Sequence, residues 1–335
     1  MIGKTVSHYR IVSAVGSGGM SVVYKAQDLR LGRFVALKFL LEKFCSSPEA
    51  IERFQQEART ASALNHPGIC TIHDIGKYRE RPYIVMEYLD GETLRDKLRW
   101  RGLTMKRAVT CAVEAADALG QAHAAGVVHR DITPRNLFIT WNGRVKLLDF
   151  GIAKLLSAGH RADERFGQSP SERSSLTGTV YYMSPEQALC LDVDSRSDIF
   201  SFGVVLVEML TGRHPFAGPD MRSTINQIVR GTPEALFRVA PDVPGSVQTV
   251  VFRCLEKCRE HRYDNAIQLK DALQSAAMTS PLDEQYLVRA RTGWQVDLSE
   301  SRVLFADTIP DHSQEVELSA SEHVVSSQNS IRTFR

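Results

Sequence analysis

Near Gly91 the spacing of apolar residues changes from two to between three and four, and this change limits the possible folds more than any other feature of the chain. Before it, YRIVSAV (9–15), SVVYKAQD (21–28) and RFVALKFL (33–40) alternate and are rich in β-branched and aromatic residues, with the polar turn DLRLGR between the last two. That pattern predicts an antiparallel meander. A helix interrupts it from Pro48 to Leu64, where Ile51, Phe54, Ala58 and Ala61 fall at spacings of three and four before NHPG ends the run. TIHDIGKYRERPYIVMEYL (71–89) then returns to strands around a polar turn. After Gly91 the chain is mainly helical: TLRDKLRW, then MKRAVTCAVEAADALGQAHAAG ending at Gly126, and later PEQAL and DIFSFGVVLVEMLTG. The expected class is α+β, with a small antiparallel sheet carrying one helix followed by a larger helical lobe.

Composition narrows the function. Of 335 residues, 43% are apolar, enough for a substantial core. Forty-one Lys and Arg against 39 Asp and Glu leave a net charge of +2, too near balance for nucleic acid or an anionic membrane to be the main partner. MIGKTVSHYRIV lacks the apolar centre of a secretory signal. The longest apolar stretch, IFSFGVVLVEML (199–210), is shorter than the roughly 18 residues a membrane span needs and contains Glu208. The six cysteines show no paired CxxC spacing, and Cys254 and Cys258 have no matching pair to complete a metal site. A cytoplasmic chain with no membrane span and no nucleic-acid partner is expected. Residues 281–335 differ from the rest: they have no Lys, many Ser, and nine acidic residues against five Arg, which predicts an acidic, partly disordered tail.

The chemistry begins at GSGGMSVV (16–23). A dinucleotide fold would need a helix after its glycines, whereas SVVYKAQD reads as a strand. The cluster is therefore a strand–turn–strand flap, in which Gly16 and Gly18 would let backbone N–H groups approach a triphosphate. VALK (35–38) puts Lys38 on the next strands, about twenty residues on, and the following helix carries Glu57; an ion pair between them would hold the ammonium against phosphates. In HRDITPRN (129–136), Asp131 stands two residues after a His and five before Asn136, and DFG (149–151) follows thirteen residues after Asn136. SPE (184–186) closes a long polar loop, 155–178, and DIFSFG (198–203) begins the next helix.

With these motifs in this order, the chain resembles a eukaryotic-type (Hanks-type) protein kinase, and GSGGMSVVYKAQD and GTVYYMSPEQ look most like soluble bacterial serine/threonine members. The resemblance covers roughly residues 9–275 and implies a bilobal kinase domain at 9–277, with its N-lobe at 9–90 and its C-lobe at 91–277. It implies transfer of the ATP γ-phosphoryl group to Ser/Thr hydroxyls of protein substrates, with Mg²⁺, or Mn²⁺ in its place. Asp131 would accept the substrate hydroxyl proton, Asn136 and Asp149 would ligate the metal, and Lys38 with Glu57 would position the nucleotide. Gly16, Ser17, Gly18, Gly19, Val23 and Ala36 would surround it. Met86 would back the adenine pocket, with Glu87 and Leu89 offering backbone groups and Glu92 a weaker ribose contact.

Two departures matter. The lysine that serine/threonine kinases carry two residues after the catalytic Asp is Thr133 here, and Arg135, four residues after Asp131, is the candidate to restore its charge. Ser21 replaces the third glycine of the flap. By the same resemblance, Thr179, in GTVYYM, stands where Ser/Thr kinases keep a hydroxyl. By resemblance, Arg53, Arg130 and Lys154 would form a basic pocket for a phosphate on the loop, with Ser175 and Thr177 the candidate phosphosites and a transient homodimer the route to autophosphorylation. Glu186 and Arg262 would form a structural ion pair, and Asp198 would brace the catalytic loop. The competing classes are a nucleotide-binding pseudokinase scaffold, favoured by Thr133 and Ser21, and a small-molecule kinase, which would not need the SPE and DIFSFG platform.

Overall fold

The computed structural model of the chain describes residues 1–150, 180–233, 238, 240–279 and 287–288. The expectations for Lys154, Ser175, Thr177 and Thr179, and for nearly all of 281–335, lie outside the described residues.

The alternating N-terminal pattern folds into one antiparallel sheet of β1 (Thr5–Val6), β2 (Tyr9–Ser17), β3 (Ser21–Asp28), β4 (Phe34–Leu40), β5 (Ile72–Tyr78) and β6 (Arg81–Glu87). Its order is β1-β2-β3-β4-β6-β5. Period-two geometry sets the faces. Val35, Leu37 and Phe39 of β4 join Tyr9, Ile11, Tyr83 and Val85 in one core cluster, while Leu40, in the opposite phase, packs with Phe54 and Ala58 of α1 (Pro48–Ser62). Lys38 has the phase of Ala36 and Leu40 and so lies on the side of that helix. The start of α1 is written locally: Pro48 fits the first turn, and the Ser47 hydroxyl accepts the Ala50 N–H at 3.2 Å.

The second lobe opens with β7 (Gly91–Thr93), α2 (Leu94–Asp96), β8 (Leu103–Thr104) and α3 (Met105–Ala124). A side chain at position 91 would put its Cβ 2.2 Å from the Ile139 carbonyl oxygen, so only glycine lets β7 lie against the strand that carries Ile139. The TLRDKLRW stretch is not a plain helix. After α2 it widens into a π-type turn, Lys97–Arg101, closed by the Gly102 N–H on the Lys97 carbonyl at 2.7 Å, and Gly102, at φ +73°, turns the chain into β8.

Helix α3 begins at a Thr104 cap, and Gly126 at φ +73° follows its end. Its Ala-rich face is buried: Ala108, Ala112, Ala115, Ala116 and Ala122 all enter the main core. Strands β9 (Leu137–Thr140) and β10 (Val145–Leu147) join β7 in a small sheet, and the Leu147 N–H reaches back to the Gly68 carbonyl at 2.7 Å, tying the two lobes.

Further α-helices among the described residues are α4 (Pro185–Ala188), α5 (Ser195–Thr211), α6 (Met221–Arg230), α7 (Gly245–Cys254) and α8 (Ala266–Thr279). Helix α5 is buried nearly all round, as a helix at the centre of a lobe must be, and runs from an Asp194 cap to Gly212 in the left-handed region. A last pair of residues, β11 (Leu287–Val288), lies antiparallel to β8 with Leu287 opposite Thr104, so this part of the acidic segment has a partner in the helical lobe.

Candidate active site

The centre of the cleft is Lys38, only 6% exposed. Its Nζ lies 3.0 Å from Glu57 Oε1 on α1 and 2.8 Å from Asp149 Oδ1 in the loop after β10. Burial alone would lower the ammonium pKa, but the attraction of Asp149 and Glu57 outweighs it and the pKa is raised. Burial pushes the Glu57 carboxyl up, with repulsion from Asp149 and Asp131 adding to it and Lys38 opposing. One ammonium thus faces two carboxylates, with the charge of Asp131 also felt at Glu57, a surplus of negative charge that suits a further cation.

The loop 129–136 is held by hydrogen bonds from three directions. Asp198 of α5, 1% exposed, accepts the His129 N–H on Oδ2 and the Arg130 N–H on Oδ1, each at 2.7 Å, and its Oδ2 is 2.9 Å from His123 Nε2. His129 Nδ1 accepts the Asp131 N–H at 3.3 Å, so its Nε2 is the donor to the Leu148 carbonyl at 2.8 Å. The Asn136 amide NH₂ donates to the Asp131 carbonyl at 2.8 Å and to Asp131 Oδ2 at 3.0 Å. Its donors spent, Asn136 has Oδ1 left for a cation. Arg130 and Asp149 both have positive φ, +65° and +34°, local strain of the kind that collects at functional sites.

The strand register brings the expected nucleotide residues together: Val23 is opposite Lys38, and Ala36 opposite Met86. A Cβ at Gly16 would meet nothing within 4 Å, and one at Gly18 only Ser21 atoms at 3.8 and 3.9 Å. Neither glycine has a positive φ. Internal packing and backbone conformation therefore do not demand them, and what they keep open is space beside the flap. The Glu87 carboxylate is engaged by Lys146 Nζ at 2.6 Å and the Thr71 N–H at 2.8 Å, which leaves its backbone for any base edge. Leu89 is half-buried in the same connection. Glu92 is paired with Lys97 at 3.3 Å, a partner that a ribose would have to share.

Thr133 is buried, 5% exposed, and its carbonyl accepts the Asn136 N–H at 3.0 Å; it is part of the loop's framework. Arg135 is exposed, close enough to Tyr182, Asp96 and Asp131 to feel their charges, and partial desolvation lowers its guanidinium pKa. Among the described residues, Arg53 Nε and Arg130 Nε are buried without a hydrogen-bond partner. The expected ion pair is present: Arg262 Nη1 and Nη2 donate to the two Glu186 oxygens at 2.7 and 3.0 Å. Sequence reasoning passed over Gln187, whose side chain reaches the Arg130 carbonyl at 3.0 Å; the S-x-x-Q spacing that places it was legible.

The Asn136 and Asp149 oxygens fit Mg²⁺, a hard cation that is commonly bound through one or two protein oxygens and completed by substrate phosphates. Among the described residues, no group of three or more His, Cys, Asp and Glu side chains could hold a metal unaided. That is consistent with a metal shared with a nucleotide.

Comparison with known proteins agrees with this geometry. Residues 9–276 match the family described as Protein kinase domain. Serine/threonine-protein kinase PknB of Mycolicibacterium smegmatis is 41% identical over 267 residues, covering 78% of this chain and 42% of that protein. Serine/threonine-protein kinase PrkC of Bacillus subtilis is 38% identical over 287 residues, covering 85% and 43%. The chain thus spans about two fifths of the length of these curated relatives. The crystal structure of the Mycobacterium tuberculosis PknI kinase domain superposes with a TM-score of 0.62 at 27% identity, covering 83% of this chain and 99% of that one.

Proposed function

The chain belongs to the protein kinase domain family, and we propose that it is a serine/threonine protein kinase acting in the cytoplasm on protein substrates, with ATP and Mg²⁺ or Mn²⁺. The observation that carries the proposal is Lys38 held at once by Glu57, at 3.0 Å, and by Asp149, at 2.8 Å. That alignment brings sheet, helix and metal-ligand loop to one point, which phosphoryl transfer requires before it can position a nucleotide. When bound, the metal neutralises charge on the β- and γ-phosphates.

The protein's own residues supply the rest. Gly16, Ser17, Gly18 and Gly19, with Val23 and Ala36, cover the nucleotide; Met86 backs the base, and the backbones of Glu87 and Leu89 meet its edge. Lys38 orients the phosphates, and Asn136 Oδ1 and Asp149 hold the metal. Asp131, its carboxylate oriented by Asn136, takes the acceptor hydroxyl proton. Arg135 supplies the positive charge that buried Thr133 cannot, and its exposure beside Asp131 supports this role. Thr179 assists acceptor recognition. Phosphate on Ser175 or Thr177, placed in trans by a transient homodimer, is received by Arg53, Arg130 and Lys154; the unpartnered Nε atoms of Arg53 and Arg130 support that pocket.

The test is incubation with radiolabelled ATP and Mg²⁺, alone and with a basic protein substrate, beside Asp131→Asn and Arg135→Ala, with phosphosites mapped by mass spectrometry. Label on Ser or Thr that vanishes with Asp131→Asn and drops sharply with Arg135→Ala is the expected result. Wild-type protein that binds ATP in a thermal-shift assay yet transfers no label would overturn the enzyme reading in favour of a scaffold.

A further inference from the structure

Gln187 is the third residue of α4 and its side chain makes two contacts of different kinds. Its Oε1 accepts the Ser184 N–H at 2.9 Å while its own N–H donates to Ser184 Oγ at 3.3 Å, a reciprocal capping box. Its Nε2 leaves the helix altogether and donates to the Arg130 carbonyl at 3.0 Å, across 57 residues of sequence. Capping needs only the first contact.

The second falls on a sensitive peptide. The Arg130 carbonyl and the Asp131 N–H belong to one planar unit, attached directly to the Asp131 Cα. Gln187 holds one edge of that plane and His129 Nδ1 holds the other, at 3.3 Å. Arg130 itself is left-handed, φ +65°, a conformation that a non-glycine residue keeps only when its surroundings over-determine it. Its N–H is fixed by Asp198 at 2.7 Å. The anchor is rigid as well, because the neighbouring Glu186 is locked by Arg262 and by the Ser197 hydroxyl at 2.5 Å.

We propose that Gln187 is a positioning residue: through the Arg130 carbonyl it sets the Arg130–Asp131 peptide, and with it the direction of the Asp131 carboxylate. A buried ion pair that would otherwise serve stability alone is thereby connected to the catalytic loop. The proposal rests on Asp131 being the group that receives the acceptor proton.

Gln187→Glu separates the two contacts. Glutamate serves a capping box as well as glutamine and is the same size, but at neutral pH it has no donor for the Arg130 carbonyl. The full chain would be examined as wild type, Gln187→Glu and Gln187→Ala by steady-state kinetics, thermal melting and amide hydrogen exchange over residues 129–132. The expected result for Gln187→Glu is a kcat lower by about 10-fold with KM for ATP and the melting temperature unchanged, and faster exchange at the Asp131 amide. Gln187→Ala would add a lower melting temperature. Wild-type kcat and wild-type exchange in Gln187→Glu would show that Gln187 only caps α4, and would overturn the proposal. If the wild type itself transfers nothing, the role of Asp131 fails, but exchange still decides: faster exchange supports the tether and unchanged exchange refutes it.

Discussion

Lys38 and Arg262 are both buried cations paired with carboxylates, one in each lobe, and the way each is satisfied separates the candidate site from a structural rivet. Every N–H of Arg262 is used: Nε on the Glu256 carbonyl, Nη1 on Glu186 and the Arg196 carbonyl, Nη2 on Glu186 and the Lys257 carbonyl, all within 3.0 Å. Burial raises the Glu186 carboxyl, but its bonds to Arg262 more than compensate and its pKa is lowered. Lys38 meets two carboxylates on two separate elements, and those carboxylates repel each other. A guanidinium with five fixed partners cannot change them without loss. An ammonium between competing acids can exchange one for a phosphate or a metal-bound oxygen at little cost.

The largest expected effect breaks the comparison on the side of chemistry. Lys38→Met should lower phosphoryl transfer by about 10²- to 10³-fold, as loss of one pre-organised charge does, with only a modest loss of thermal midpoint because methionine fills the same space and the Glu57 carboxyl, already raised by burial, can take up a proton. A steady-state assay beside a melting curve reads both. Arg262→Leu should do the reverse at the stability end. It leaves Glu186 buried and unpaired, so denaturant unfolding should show a loss of about 3–5 kcal/mol, and Glu186→Gln in the same chain should recover part of it.

His214 sharpens the comparison, being a buried titratable group of the helical lobe that stays neutral. Burial pushes its pKa down to about 4, against the opposing effect of its bond to the Tyr181 carbonyl at 2.7 Å; the Phe216 N–H donates to Nδ1 at 3.2 Å. The folded pKa lies below the unfolded one, so between about pH 6.5 and 4 the unfolded state binds more protons and stability falls as pH falls. His214→Gln should flatten this part of the stability curve, by up to about 3 kcal/mol across the window, in urea titrations at stepped pH. The smallest effect is expected from Thr133→Lys: with Arg135 present it should change transfer less than 3-fold, whereas in Arg135→Ala it should restore much of the lost rate.

Much of the fold could be read without coordinates because its signals are local. The period of two in RFVALKFL and the spacing of three and four in Pro48–Ser62 each depend on residues within one or two turns of one another, as do the Ser47, Thr104 and Asp194 caps. The candidate site was legible for a different reason: the chemistry proposed for it would need its residue types at set spacings. Other features gave no such signal. The widened turn at Lys97–Arg101 has a helical pattern and departs from it only where Gly102 closes on Lys97. The β8–β11 pairing joins two-residue segments more than 180 residues apart, too short for any periodicity.

Sequence alone determined the order of the main elements, the α+β class and the face of β4 that carries Lys38, and it pointed to the residues proposed to hold a nucleotide and its metal. Tertiary structure decided which of them are tethered and to what: that Thr133 is buried and Arg135 exposed, that Glu87 spends its carboxylate on Lys146, and that Gln187 reaches the peptide ahead of Asp131. The physical reason is range. Periodicity and capping act over four residues and leave a trace in the order of the chain, whereas a hydrogen bond across 57 residues exists only once both ends have been packed into place.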